Sequence, residues 1–186
     1  MLQAAKPKRL STGLIQGCAE FLPWQNGTFD RLFCLNAFHH FSDKKLFISE
    51  SRRVIRPGGG ILIIGLDPHT GLDRWWIYDY FPQVLDIDKA RYPATTGIRQ
   101  MLAEAGFVNC HTIEALHWPI ELSARTALES GRLDKTTTSQ LTILTDNEYG
   151  TGISRLICDI EAAEAQRKVY NIFADLRMYA TTAWLA

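Results

Sequence analysis

The chain has 186 residues, 46% of them apolar and 22% charged, which places it among globular sequences of one domain, or one domain with an inserted cap. Its 20 basic and 20 acidic residues cancel, so the charge balance excludes neither fold nor catalysis but gives no reason to expect nucleic acid or an anionic membrane as partner. The four cysteines, Cys18, Cys34, Cys110 and Cys158, form no C-x-x-C pair, which argues against a zinc site or disulfide framework and for reduced thiols in a cytoplasmic protein.

In chain order, Leu14 and Ile15 predict a short strand before Gly17. Gln25-Asn26-Gly27-Thr28 reads as a turn, with Asn-Gly suited to positive φ. Phe29 to Leu35 follows as a strand, expected to be central. Ser42 is placed to cap a helix running to about Ile55, with Phe47, Ser51, Val54 and Ile55 on one face. Arg56-Pro57-Gly58-Gly59 stops that helix, because proline cannot continue it and glycine permits a left-handed exit. Gly60 to Ile64 then reads as a strand buried on both faces, far too short to span a membrane.

Leu72 to Phe81 is aromatic-rich and predicted helical, and Asp86, Asp88, Lys89 and Arg91 read as a solvated charged stretch. Pro93 opens a helix that carries Ile98, Met101, Leu102 and Ala105 on one face and ends at Gly106; Phe107 to Ile113 is a strand. A helical insert is expected over about 119–167. Its last helix starts on Thr145-Asp-Asn-Glu148, at capping-box spacing, and is weakened by Gly150 and Gly152 at about 1 kcal/mol each. Alternation from Tyr170 to Ala180 predicts a final antiparallel strand.

Three stretches carry a resemblance. They are Gly17-Cys-Ala-Glu-Phe-Leu-Pro-Trp24, Thr28 to Phe41 (TFDRLFCLNAFHHF), and Glu50 to Ile64 (ESRRVIRPGGGILII). In order and spacing they resemble the class I S-adenosylmethionine (SAM)-dependent methyltransferases of the small-molecule type: an adenine-side turn, the fourth strand, then the helix and turn before the fifth. The resemblance implies an α/β Rossmann-like sheet of order 3-2-1-4-5-7-6 with strand seven antiparallel. The chain would supply strands 3 to 7, as one truncated domain over residues 1–186. Met1-Leu-Gln-Ala-Ala resembles the helix after the second strand.

Two elements of that family are missing from the sequence. No G-x-G occurs before Gly58, and no acidic residue ends an early strand to take the ribose hydroxyls. The absent part amounts to roughly 50 residues. Losing three or four cofactor hydrogen bonds costs on the order of 4 kcal/mol, about a thousandfold in affinity, so weak or absent SAM binding is expected. Without its neighbours, strand four would re-pair with strand three, dimerise through the open edge, or aggregate.

The resemblance also places the site residues. Cys18, Ala19 and Glu20 fall in the adenine-side turn, as cofactor lining or plain turn structure. Asn36 and Ala37 end the fourth strand beside the cofactor. His39 is the candidate catalytic base facing the methyl acceptor; the alternative is that His39 and His40 pack against and cap the next helix. Asp67 and His69 follow the fifth strand, as substrate contacts or a polar loop, and Trp75 and Trp76 belong to an aromatic lid or to ordinary cap packing. No metal site is expected. A small-molecule methyltransferase is the first functional reading and a non-catalytic binding or oligomerisation partner the second. Another α/β nucleotide-binding domain, such as a dehydrogenase, finds no phosphate loop to support it.

Overall fold

The computed structural model describes residues 13–186, so the helix expected over residues 1–5 lies outside the described residues. The first strand, β1 (Phe29–Leu35), runs parallel to β2 (Ile55–Leu66), with Leu32 opposite Ile61 and Leu35 opposite Ile64. The last strand, β5 (Asn171–Leu185), lies antiparallel on the other side of β2, and β4 (Phe107–Ser123) lies antiparallel to β5. The lateral order is therefore β1-β2-β5-β4, and the two-residue β3 (Arg74–Trp75) pairs with β5 at Ala174 and Asp175. That order is the 4-5-7-6 half of the expected sheet, with the expected antiparallel strand inserted between its neighbours.

The connection from β1 to β2 shows why the sequence folds this way. Helix α1 (Lys44–Val54) buries Phe47, Ile48, Ser51 and Val54 at helical spacing. Its cap is Asp43, one residue later than expected, and the Asp43 carboxylate accepts from the Leu46 amide at 2.9 Å. The glycines after it are steric necessities. Gly58 adopts φ +75°, and a β-carbon on Gly59 would stand 2.7 Å from the Asp30 carbonyl, so only glycine lets β2 come alongside β1.

Two apolar cores result. One lies between the sheet and helices α1 and α4, where α4 is Thr95–Glu104, and gathers Phe47, Ile48, Ile61, Ile63, Leu102 and Phe107. The other lies at the far end of β5, under the short helix α2 (Trp76–Tyr80) and the helices between β4 and β5. These last are α5 (Ala124–Glu129), α6 (Ser139–Thr142) and α7 (Asp146–Ala165). Both halves of the capping box at Thr145 and Glu148 are formed.

Four expectations need correction. Leu14 and Ile15 form no strand and are exposed. Among the described residues β1 is an edge strand paired only with β2, rather than a central one, and its Phe33 and Leu35 are 63% and 61% exposed. The helix expected over 72–81 is reduced to α2, because Arg74 and Trp75 are drawn into pairing with β5. The charged stretch at 86–91 belongs to a further helix, α3 (Gln83–Arg91), in which Asp88 is fully buried. In addition β4 continues through Pro119 to Ser123, so the helices before β5 begin only at Ala124.

Candidate functional site

Open α/β sheets place ligands beyond the carboxyl ends of their parallel strands. Here that position holds a cleft of about 380 Å³, with Asn36 from the tip of β1 and Leu66 from the end of β2 on its wall. Asn36 takes the left-handed conformation, φ +44°, and its amide donates to the Ile64 carbonyl at 2.8 Å. That turn leaves the Asn36 side chain exposed at the mouth. Trp75, Tyr92, Trp118 and Met178 supply aromatic and thioether walls. Among the described residues no Asp, Glu, Lys or Arg lines the cleft.

His39 lies on this wall, 6% exposed, in the short 3-10 turn Phe38–His40. Its ring stacks on Tyr92 with centroids 3.9 Å apart and planes inclined by 19°. The Tyr92 hydroxyl accepts from Gln140 Nε2 at 3.2 Å, which leaves its proton for His39 Nε2 at 3.0 Å. Burial, followed by the neighbouring His40, Arg91 and Lys44, lowers the His39 pKa from 6.5 to about 3. His39 is thus a neutral imidazole at physiological pH and too weak a base to hold a proton there. Burial likewise pushes the Tyr92 hydroxyl up to about 12, so it stays protonated as the donor of this pair.

The remaining expected site residues divide by geometry. Asp67 is 3% exposed, and its carboxylate is engaged by two backbone amides, His69 at 3.1 Å and Thr95 at 2.8 Å. It joins the β2 exit to the start of α4, which is a structural task. His69 reaches the Tyr92 carbonyl through Nε2 at 2.8 Å. Trp75 lines the cleft, whereas Trp76 turns into the second core and packs edge-on against Phe81. Ala37 is half-buried against the first core.

The turn carrying Cys18, Ala19 and Glu20 docks on the amino end of α1. Glu20 Oε1 accepts from the Ser42 and Asp43 amides at 2.9 and 3.3 Å, and the Cys18 thiol donates to Glu20 Oε2 at 2.7 Å. The thiol, ahead of the backbone amides, holds the Glu20 carboxyl below the usual carboxylate range. These three residues do not line the cleft. The turn is clasped from below by Glu50 and Arg53: Leu22 donates to Glu50 Oε2 at 2.9 Å, and Arg53 donates to the Leu22 and Trp24 carbonyls at 2.8 and 2.6 Å. Tyr92, Gln140 and Trp118 were not singled out from the sequence. No motif in the sequence marks them.

Among known proteins, residues 1–63 match the family model described as a methyltransferase domain. The chain is 27% identical over 141 residues to the ubiquinone/menaquinone biosynthesis C-methyltransferase UbiE of Pasteurella multocida, covering 62% of this chain and 53% of that one. It is 31% identical over 104 residues to the demethylmenaquinone methyltransferase of Deinococcus radiodurans, covering 55% and 43%. The chain thus spans about half the length of the curated relatives it matches. In fold it is similar to a protein described as a methyltransferase from an antibiotic biosynthesis pathway of Anabaena variabilis. There the TM-score is 0.63 and the identity 23%, over 90% of this chain and 72% of that one. The chain is thus similar to the class I SAM-dependent methyltransferases, in sequence over residues 1–63 and in fold through the 4-5-7-6 order of its sheet.

Proposed function

We propose that this chain carries the acceptor-side half of a SAM-dependent methyltransferase acting on a small molecule, with the 380 Å³ cleft receiving the sulfonium end of SAM. The observation that supports this most is the lining: aromatic faces, an amide and a thioether, with no fixed cation to repel a sulfonium. SAM would supply a methyl group on positively charged sulfur, and its transfer is an in-line displacement. Such a step needs orientation and a dry surface more than a base. In this reading Asn36 lines the cofactor side, Ala37 backs it from the first core, and Trp75 and Trp118 wall the reacting end. His39 holds Tyr92 in place and abstracts no proton. Cys18, Ala19 and Glu20 border the adenine side through the shape of their turn, since the Glu20 carboxylate is already committed to α1.

The residues present fit the sulfonium end and offer nothing for the rest of SAM. Among the described residues no glycine-rich amide cradle and no carboxylate for a ribose diol lie in the cleft, so weak binding of SAM by the chain alone is the expected outcome. NMR of the indole N–H groups, titrated with S-adenosylhomocysteine, tests both statements. Saturable shifts at Trp75 and Trp118, with Trp24 and Trp184 unmoved, are expected only at millimolar ligand. Micromolar saturation would show that the cradle is dispensable, and shifts confined to Trp24 or Trp184 would remove the cleft from the reading.

A second reading, a non-catalytic partner that works by association, is favoured by one observation. The free edge of β1 presents Phe33 and Leu35 to solvent. Cytoplasmic residence is part of both readings.

A further inference from the structure

The two faces of the sheet are covered unequally. Read across the strands, Phe33 stands beside Leu62, Leu62 beside Thr182 and Thr182 beside His111. Two residues along, Leu35, Ile64, Ala180 and Ile113 form a second such row. Paired neighbours point the same way and side chains alternate along a strand, so both rows lie on one face. Residues of the intervening row, Cys34 and Ile63 among them, point to the other side and are buried with side chains of α1 and α4. The first face is open to water along both outer strands. Phe33 and Leu35 are exposed on β1, and Ile113 on β4 is 66% exposed. One row further on, the paired Val108 and Trp184 are exposed as well, and toward the cleft the face continues through Leu116 to Trp118.

The exposed apolar side chains of this face together offer roughly 700 Å². That exceeds the roughly 300–600 Å² of the largest patch on a typical monomer and comes near the roughly 800 Å² that each partner gives to a standard-size interface. The face is also almost without charge. Among the described residues no Asp or Glu stands in these rows, and Arg31, beside Gly60, lies with its guanidinium over the Trp184 ring, 4.5 Å from the centroid. A strongly charged partner therefore meets no row of countercharges here. The chain as a whole has 20 basic and 20 acidic residues, so two copies carry no net charge with which to repel each other.

We propose that this face is an interface at which two copies of the chain pack sheet to sheet about a two-fold axis. A broad, neutral, apolar sheet face is matched by another of the same extent and charge, and a second copy brings one. Sheets stack in this way about 10 Å apart with strand directions within about 30°, their side chains interdigitating. Edge-to-edge pairing of β1 is a different contact, because it engages β1 alone and leaves Ile113 and Trp184 in water. The face-to-face dimer holds whether or not the cleft binds SAM.

Sedimentation equilibrium of the purified chain between about 1 and 200 µM decides it. A monomer–dimer equilibrium that stops at two is expected, with a dissociation constant in the micromolar range. Tryptophan emission should shift to the blue as the dimer forms, since Trp118 and Trp184 leave water. Ile113→Lys changes a side chain already mostly in solvent and stands three strands away from β1. It is expected to weaken the dimer at least about a hundredfold, because a two-fold interface takes in the buried charge twice. Val169→Lys makes the same change of charge at a 73% exposed position outside these rows and is expected to leave the dissociation constant unaltered. A monomer at every concentration, growth beyond two, emission that ignores concentration, or equal loss in Val169→Lys would each overturn the proposal. A dimer that survives Ile113→Lys would overturn it too, and would leave pairing through the β1 edge as the contact.

Discussion

A histidine just beyond the carboxyl end of a parallel strand invites a role as general base, and in this chain its surroundings decide against that. His39 is buried, stacked on Tyr92 and held neutral, with its pKa at about 3. The same numbers fix a pH dependence. The unfolded chain binds a proton on this histidine below pH 6.5, and the folded chain does not until about pH 3. Its contribution to stability is therefore complete above pH 6.5 and is lost as pH falls from 6.5 toward 3, by at most about 1.4 kcal/mol per pH unit. Urea unfolding midpoints measured from pH 7 to pH 4 should fall steeply for the wild type and less steeply for His39→Gln, whose amide still accepts from Tyr92. Parallel slopes would mean that His39 is as free to protonate in the folded chain as in the unfolded one. Asp88 shows the opposite limit of sequence reading. Among Asp86, Lys89 and Arg91 it looked like one more solvated charge, yet it is fully buried between Tyr78 and Arg91. Nothing in its neighbours along the chain announces the tyrosine ten residues earlier that supplies the hydrogen bond.

The same limit applies to whole elements. β1, α1, β2 and β5 were legible because local signals and tertiary demand agree in them. An Asn-Gly turn leads into an apolar run, a capped amphipathic helix runs into Arg-Pro-Gly-Gly, and a long alternating stretch ends the chain. The 72–91 segment was misread because its conformation is set by partners remote in sequence. Trp75 pairs with Ala174, and α2 packs under α7. For the candidate site the division is similar. Asn36 and His39 were legible because a motif locates the end of β1, and Trp75 because of its aromatic-rich stretch, whereas Tyr92, Trp118 and Gln140 arrive from later elements that only the fold brings in. Helix α7 makes the point testable. By propensity Gly150 and Gly152 are equal defects near its start. In the structure nothing lies within 4 Å of a β-carbon built on Gly150, while one on Gly152 would overlap the buried Phe81 ring. Gly150→Ala should therefore stabilise the chain by about 1 kcal/mol, and Gly152→Ala should destabilise it by about 1–3 kcal/mol through overpacking. Chemical denaturation of the two variants reads both signs. If both stabilise, Phe81 is not seated against α7 as described.

At the scale of the whole molecule, the sheet ends on both sides in a strand with a single partner among the described residues, β1 beside β2 and β4 beside β5. On β1 the helix-facing residue Cys34 is buried, while Phe33 and Leu35 on the opposite face are open to water. An unpaired edge together with two large exposed apolar side chains favours association with a second copy of the chain. Light scattering coupled to size exclusion should show a mass that rises with loading concentration. Phe33→Lys, which puts a charge on that open face, should return the chain to monomer with little loss of stability, because the Phe33 side chain is already mostly in solvent. A wild-type chain that stays monomeric at every concentration would show that the β1 edge is tolerated by itself. An oligomer that survives the substitution would place the contact elsewhere, and the apolar, two-sided exposure of β4 around Trp118 and Ile120 would be the next surface to charge.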